Sequence, residues 1–321
     1  TSWLRSDSYG YIKRLPTVEY RAQGRGGKGV KAMATREEDY VETVFTASTH
    51  DSILFFTNLG KVYVRKGYRI PEAGRSARGQ NIVNIIPTDP GEKVSAMIAG
   101  RGVTEDNYLV FVTRNGTVKR TAQSAFKNIR SNGIRALSLD EGDELISVLQ
   151  TTGEDKILLA THDGMAICFA ETDARAMGRD AVGVRGIRLR EGDYVVGAGI
   201  AAEGAAILSI TENGYGKRTD VGEYSVQNRG GMGLKNYNVT DKTGPVADVV
   251  IVTGDEDLLV ISDDGTIIRM DVGSISLLSR STQGVRVMRL TGDAKVISIA
   301  HTVKEDSAEA DSPEANSSEA N

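Results

Sequence analysis

The stretch Leu258-Leu259-Val260-Ile261-Ser262-Asp263-Asp264-Gly265-Thr266-Ile267-Ile268-Arg269 decides the fold of this chain. Four consecutive apolar residues read as a strand buried on both faces, and the Asp-Gly dipeptide supplies the two positive φ values of a two-residue hairpin. The chain then returns as a second strand, with apolar Ile267 two places past the glycine. One such hairpin cannot bury its own faces.

Five more units follow the same plan. Aligned on the turn glycine, all six units are marked by Gly10, Gly60, Gly116, Gly164, Gly214 and Gly265, with gaps of 50, 56, 48, 50 and 51 residues. A second glycine follows each, Gly29, Gly79, Gly133, Gly183, Gly233 and Gly284, at offsets of 19, 19, 17, 19, 19 and 19. Random placement of 36 glycines does not produce that register, so six repeats of about fifty residues are established. Three further turns read Asn115-Gly116, Asp163-Gly164 and Asn213-Gly214; runs such as Ile53-Leu54-Phe55-Phe56 and Leu109-Val110-Phe111-Val112 precede the turns. Each unit closes on another apolar strand, for example Leu145-Ile146-Ser147-Val148-Leu149 or Val296-Ile297-Ser298-Ile299, and only short segments such as residues 122–129 can hold a helical turn.

About four strands per unit, six times over, predicts an all-β, six-bladed, propeller-like ring spanning residues 1–303, because a small sheet buries both faces only between neighbours. The familiar propeller signatures fit poorly. A Trp-Asp per blade is impossible with Trp3 as the single tryptophan, and Gly-Gly doublets occur only at Gly26-Gly27 and Gly230-Gly231. Closed and spiral rings, and the strand order within a blade, stay open.

The second glycine precedes an apolar residue and a cation in five units: Val30-Lys31, Ile134-Arg135, Val184-Arg185, Leu234-Lys235 and Val285-Arg286; Gly79-Gln80-Asn81 departs. Four places before it stand Arg25, Arg75, Arg179, Arg229 and Arg280, with Arg130 displaced by one in the remaining unit and Arg78 adjoining Gly79. Any one of these alone is an ordinary solvated side chain. In register around an axis they form a ring of positive charge, suited to a phosphate polymer because many counterion-releasing contacts add up without base reading. Three and four places past the turn glycine come Lys13-Arg14, Lys119-Arg120 and Lys217-Arg218, with Arg269 in the last unit. Strand alternation assigns Lys13, Lys119 and Lys217 to the face away from the apolar residue, as phosphate contacts. The arginine beside each either touches phosphate or leans over the core to a carboxylate. Ile167 and Cys168 replace both cations in unit four, which is expected to grip least.

Gln23-Gly24-Arg25-Gly26-Gly27-Lys28-Gly29 is the glycine-enriched version of this feature. It matches G-x-G-x-x-G but lacks the βαβ setting that gives the motif meaning, and Gly29 stands where a P-loop needs Ser or Thr. His50, His162 and His301 are isolated along the sequence, and no Ser/His/Asp or Cys/His set is legible. No catalytic residue and no metal site are expected.

The net charge of −4 hides an uneven distribution. Residues 304–321 hold one cation and six anions with no aromatic residue, and read as a disordered acidic tail, either a solubilising end or a competitor for the basic rim. Without that tail the chain carries 38 cations and 37 anions. A lone Cys168, no long apolar run and no export signal suggest a reducing, cytoplasmic setting. The start at Thr1-Ser2-Trp3 suggests a piece of a longer polypeptide.

Residues Gln23 to Gly29 resemble the gyrase-A box, whose usual form is Gln-Arg-Arg-Gly-Gly-Lys-Gly. Together with Tyr20-Arg21-Ala22, Ala176-Met177-Gly178, Gly183-Val184-Arg185-Gly186-Ile187-Arg188-Leu189 and Asn213-Gly214-Tyr215-Gly216-Lys217-Arg218-Thr219, they make residues 1–303 similar to the C-terminal domain of the A subunit of bacterial DNA gyrase. The resemblance implies a six-bladed β-pinwheel that wraps duplex DNA around a basic rim with positive handedness, lying near the nucleoid. It implies, as partners in an A2B2 holoenzyme, the rest of the A subunit plus the B subunit, with ATP and Mg used there and no cofactor in this part. Gly24 departs from the pattern by replacing a cation, which weakens the expected anchoring. The related topoisomerase IV domain and a protein-binding propeller scaffold are the alternatives; the nearly complete box and six units favour gyrase.

Overall fold

The computed structural model describes residues 2–7, 11–16, 22–23, 30–31, 41–74, 77, 79–100 and 107–303. Six sheets form, and each is built from two repeats. In the third blade the order from the axis outward is Leu145–Thr151, Tyr108–Thr113, Thr117–Ala122 and Val184–Arg185, so the outermost strand comes from the following repeat. Gln80–Asn81, Ile134–Arg135, Leu234–Lys235 and Val285–Arg286 complete the first, second, fourth and fifth blades in the same way. The sixth blade is completed from the start of the chain, by Ala22–Gln23 and Val30–Lys31.

That exchange explains the paired glycines. In five units the apolar residue after the second glycine pairs with the residue two past a turn glycine: Ile134 with Val62, Val184 with Val118, Leu234 with Ala166, Val285 with Gly216 and Val30 with Ile267; in the other, Gln80 pairs with Ile12. Gly284, at φ +72°, lies so close to this strand that a Cβ would sit 2.5 Å from the Gly216 carbonyl oxygen. Gly164, at φ +86°, faces the Tyr237 carbonyl of the next repeat at 2.6 Å in the same sense. Both glycines are therefore needed where one repeat's backbone crosses another's.

Every blade is sandwiched between two others. Hydrophobic clusters fill all six boundaries, including Ile12, Phe55 and Tyr63 between the first and second blades and Phe56, Phe111 and Phe126 between the second and third. Clusters around Leu159, Leu158 and Leu208 continue the series, and Leu15, Leu259 and Ile267 close it between the sixth and first blades. The inner strands Val41–Ala47 and Val296–Val303 pack side by side. Among the described residues the ring is closed. Short 3-10 helices such as Gln123–Phe126 and Val272–Ser274 follow the hairpins, which agrees with the helical turn expected near residues 122–129.

Candidate nucleic-acid interface

Because both faces of a blade meet a neighbouring sheet, strand alternation does not separate a wet face from a dry one here. The expectation for Lys13, Lys119 and Lys217 is overturned on this ground: they are 0%, 1% and 0% exposed. Lys217 Nζ donates to the carbonyl oxygens of Ser279 (2.8 Å), Arg280 (2.7 Å) and Thr282 (3.0 Å). Lys119 donates likewise to Ala136, Gly178 and Arg179, and Lys13 to Gly74 and Ala77. Three acceptors match the three N–H groups of an ammonium, while burial pushes the Lys119 and Lys217 pKa values down to about 8. These lysines are struts inside the ring, not phosphate contacts.

Most of the carbonyls they hold belong to residues 73–79, 177–183 and 278–284, the counterparts of the box in other repeats, so the buried ammonium shapes the backbone from which a rim arginine extends. The arginine next along takes the core-directed option. Arg14 pairs with Glu72 at 3.0 Å, Arg269 with Asp257 at 2.6 Å and Arg120 with buried Glu171 at 3.8 Å, whereas Arg218 holds the Ile275 carbonyl. Cys168, in the fourth blade, is buried and its thiol pKa is raised by desolvation, so it offers neither charge nor nucleophile.

The remaining cations lie at the outer edge, where each blade ends on its two-residue donated strand. Arg135, Arg185, Lys235 and Arg286 are exposed there, as is Arg130 in the preceding loop, while Arg179, Arg229 and Arg280 are half-buried. The half-buried arginines reach sideways to the strand on the preceding blade. A guanidinium nitrogen of Arg179 donates to the Arg135 carbonyl at 3.1 Å, Arg229 to Arg185 at 2.5 Å and Arg280 to Lys235 at 2.9 Å. Arg286 lies against the Tyr215 ring and donates to its hydroxyl at 2.6 Å. Two cations thus meet at each of three successive blade junctions, with Arg286 next in line. Positive charge held at this density attracts anions. Asp180 stands 3.8 Å from Arg135, but both side chains are largely in solvent, where such a pair neutralises little.

Arg188 and Arg289 are exposed as well. Their position, five past the second glycine, holds Ser138 and Asn238 in other units, so a search for a recurring cation misses it. Gly24, Arg25, Gly26, Gly27, Lys28 and Gly29 of the box, together with Arg75, Arg78 and residues 304–321, lie outside the described residues. Gln23 and Lys31 are described as backbone only, in the strands that complete the sixth blade.

A family model for the DNA gyrase C-terminal domain, β-propeller, matches residues 10–48, 51–100, 107–152, 155–202, 206–253 and 256–302. The A subunit of DNA gyrase from Staphylococcus aureus strains MRSA252 and NCTC 8325 is 49% identical over 302 residues, which is 93% of this chain and 34% of each relative. The chain therefore spans about a third of the length of the curated relatives it matches. A solved DNA gyrase A C-terminal domain superposes with a TM-score of 0.85 at 28% identity, covering 94% of this chain and 99% of that one. The C-terminal domain of DNA topoisomerase IV follows at 0.72 and 26%, covering 94% and 93%.

Proposed function

The chain belongs to the family of DNA gyrase A C-terminal β-propeller domains, and on that premise we propose that it binds duplex DNA on its outer edge and bends it around the ring. The observation that carries this reading is the row of paired cations, Arg135 with Arg179, Arg185 with Arg229 and Lys235 with Arg280, one pair per blade junction. Carried on through the repeats, the same register would set Arg286 against Arg25 and Lys31 against Arg75, at the two junctions that flank the sixth blade, which the first repeat completes. Gln23, Gly24, Gly26, Gly27, Lys28 and Gly29 of the box would act there beside Arg25. Smooth bending of a 20–30 bp site costs about 1–6 kcal/mol. Contacts at successive junctions spread that cost along the path.

Binding of this kind reads no bases. Arginine and lysine neutralise phosphates, and four box glycines admit phosphate close to backbone N–H groups. In the parent enzyme, formed with the B subunit plus the rest of the A subunit, the wrap presents a neighbouring DNA segment with positive handedness. ATP and Mg act in those other parts. No helix among the described residues is long and apolar enough to cross a membrane.

The test is to close nicked plasmid with ligase in the presence of the chain and measure linking number. A positive shift that grows with protein and fades with salt is expected. Binding without any shift would reduce the reading to DNA binding, and salt-insensitive association with no DNA retention would favour a protein scaffold.

A further inference from the structure

Arg114, Glu144, Tyr194, Glu212 and Lys295 line one cavity where the turns of successive blades come together, and the fourth blade differs from its neighbours there. Its hairpin turn carries His162 and Asp163 where the third blade has Arg114 and Asn115, and Asp193 lies in the turn leading into Val195–Ile200. A nitrogen of His162 and one oxygen from each carboxyl lie within 4.8 Å of one another. Nδ1 of His162 stands 3.2 Å from Asp163 Oδ1, and Nε2 stands 3.3 Å from Oε1 of Glu212, a residue of the fifth blade.

In the tautomer protonated on Nε2, Glu212 accepts that proton and the Nδ1 lone pair faces Asp163. A second carboxylate behind a histidine is the usual support of a metal ligand. The ring plane is fixed as well: His162 stacks on Tyr194 at 4.5 Å, and the Arg114 guanidinium covers Tyr194 at 4.0 Å while pairing with Glu144.

Asp193 separates a metal from a mere proton. Its Oδ1 accepts from the backbone N–H of Asp163 (3.0 Å) and Tyr194 (2.8 Å), a turn device repeated by Asp143 in the third blade. Its Oδ2 is shielded from solvent and accepts no hydrogen bond among the described residues, in a residue only 9% exposed. A proton on Nδ1 satisfies Asp163 and leaves that oxygen unmet. A dication held by the imidazole and one oxygen of each carboxyl would place positive charge beside that buried carboxylate.

We propose that His162, Asp163 and Asp193 bind one first-row divalent transition-metal ion, with Glu212 positioning the histidine. One imidazole and two carboxylates suit Zn2+ or Mn2+, and three protein ligands leave a position for water. Since Glu212 lies on the next blade, the ion ties the fourth blade to the fifth.

The chain, stripped with chelator, is titrated with ZnCl2 by calorimetry and with MnCl2 by electron paramagnetic resonance. One saturable ion per chain is expected, with a raised thermal midpoint. H162Q and D193N are expected to weaken binding more than tenfold and abolish the thermal shift, and E212Q to weaken it by about 10–100-fold, as loss of a carboxylate behind a metal-bound histidine does. D193N keeps Oδ1 for the turn; should it fail to fold, half-buried His162 carries the test alone. Absence of saturable binding, or single-ion binding that survives H162Q, overturns the proposal.

Discussion

The ammonium of Lys217 donates to the carbonyl oxygen of Arg280 at 2.7 Å, from a site with no exposure to solvent. One cation thereby supports the backbone from which another reaches the surface. The two need different tests. Lys217→Met keeps the bulk but removes a donor from three carbonyls; those of Ser279 and Thr282 keep donors in Thr282 and Asn238, so the main cost is about 1–3 kcal/mol for the Arg280 carbonyl. Lys235→Ala, at the exposed edge, is expected to change stability by about 0.5 kcal/mol or less yet to lower the salt slope of DNA binding by about 0.9. Chemical unfolding and salt-dependent DNA titration of both variants check this. A lowered slope in Lys217→Met with unchanged stability would return Lys217 to the phosphate contacts.

Burial holds the Lys217 pKa at about 8 in the folded chain, against an ordinary value of 10.5. Between those values the unfolded chain keeps the proton that the folded chain has released, so the lysine's contribution to stability rises from pH 8 to pH 10.5. The stability advantage of the wild type over Lys217→Met is therefore expected to grow across that window. Urea unfolding at both ends measures it, and a constant difference would show that the three carbonyls keep the ammonium charged.

Gly284→Ala tests the exchange of strands between repeats. Its Cβ would lie 2.5 Å from the Gly216 oxygen at a φ of +72°, so clash and backbone strain add, and a loss of more than about 3 kcal/mol is expected. Gly292, with positive φ but open space beside it, is the control: Gly292→Ala is expected to cost about 1 kcal/mol. Equal effects would contradict a role in strand crossing.

Gly24→Arg restores the usual cation of the box. Tighter DNA binding and a larger linking-number shift are expected, with the salt slope increased by about 0.9.

Removing residues 304–321 takes away six anions and one cation, so DNA affinity is expected to rise at low ionic strength. The shortened and full chains are expected to converge near 1 M salt, where the Debye length falls to about 3 Å. Superimposable titrations at every salt concentration would leave the tail as a solubilising end.

Much of the architecture is legible in the sequence because it rests on local chemistry. Asn-Gly and Asp-Gly turns, apolar runs and two glycines in constant register announce six hairpin units, whatever lies beside them. The edge cations Arg135, Arg185 and Lys235 are legible for the same reason, since a repeat in sequence becomes a repeat in space. Lys13, Lys119 and Lys217 are not, because alternation along a strand sorts core from solvent only where the sheet has one wet face. In this ring a second blade covers that face.

What the sequence determined by itself is the number of units, their turns and the charge each sends outward, because those depend on neighbours along the chain. The tertiary structure alone decided that the last strand of every blade is borrowed, that the first repeat closes the sixth blade, and which cations are struts. Those depend on partners about fifty residues away or at the opposite end of the chain. The same distance in sequence separates His162 from Glu212, and it is only when two blades pack that the carboxylate of one comes within 3.3 Å of the other's imidazole.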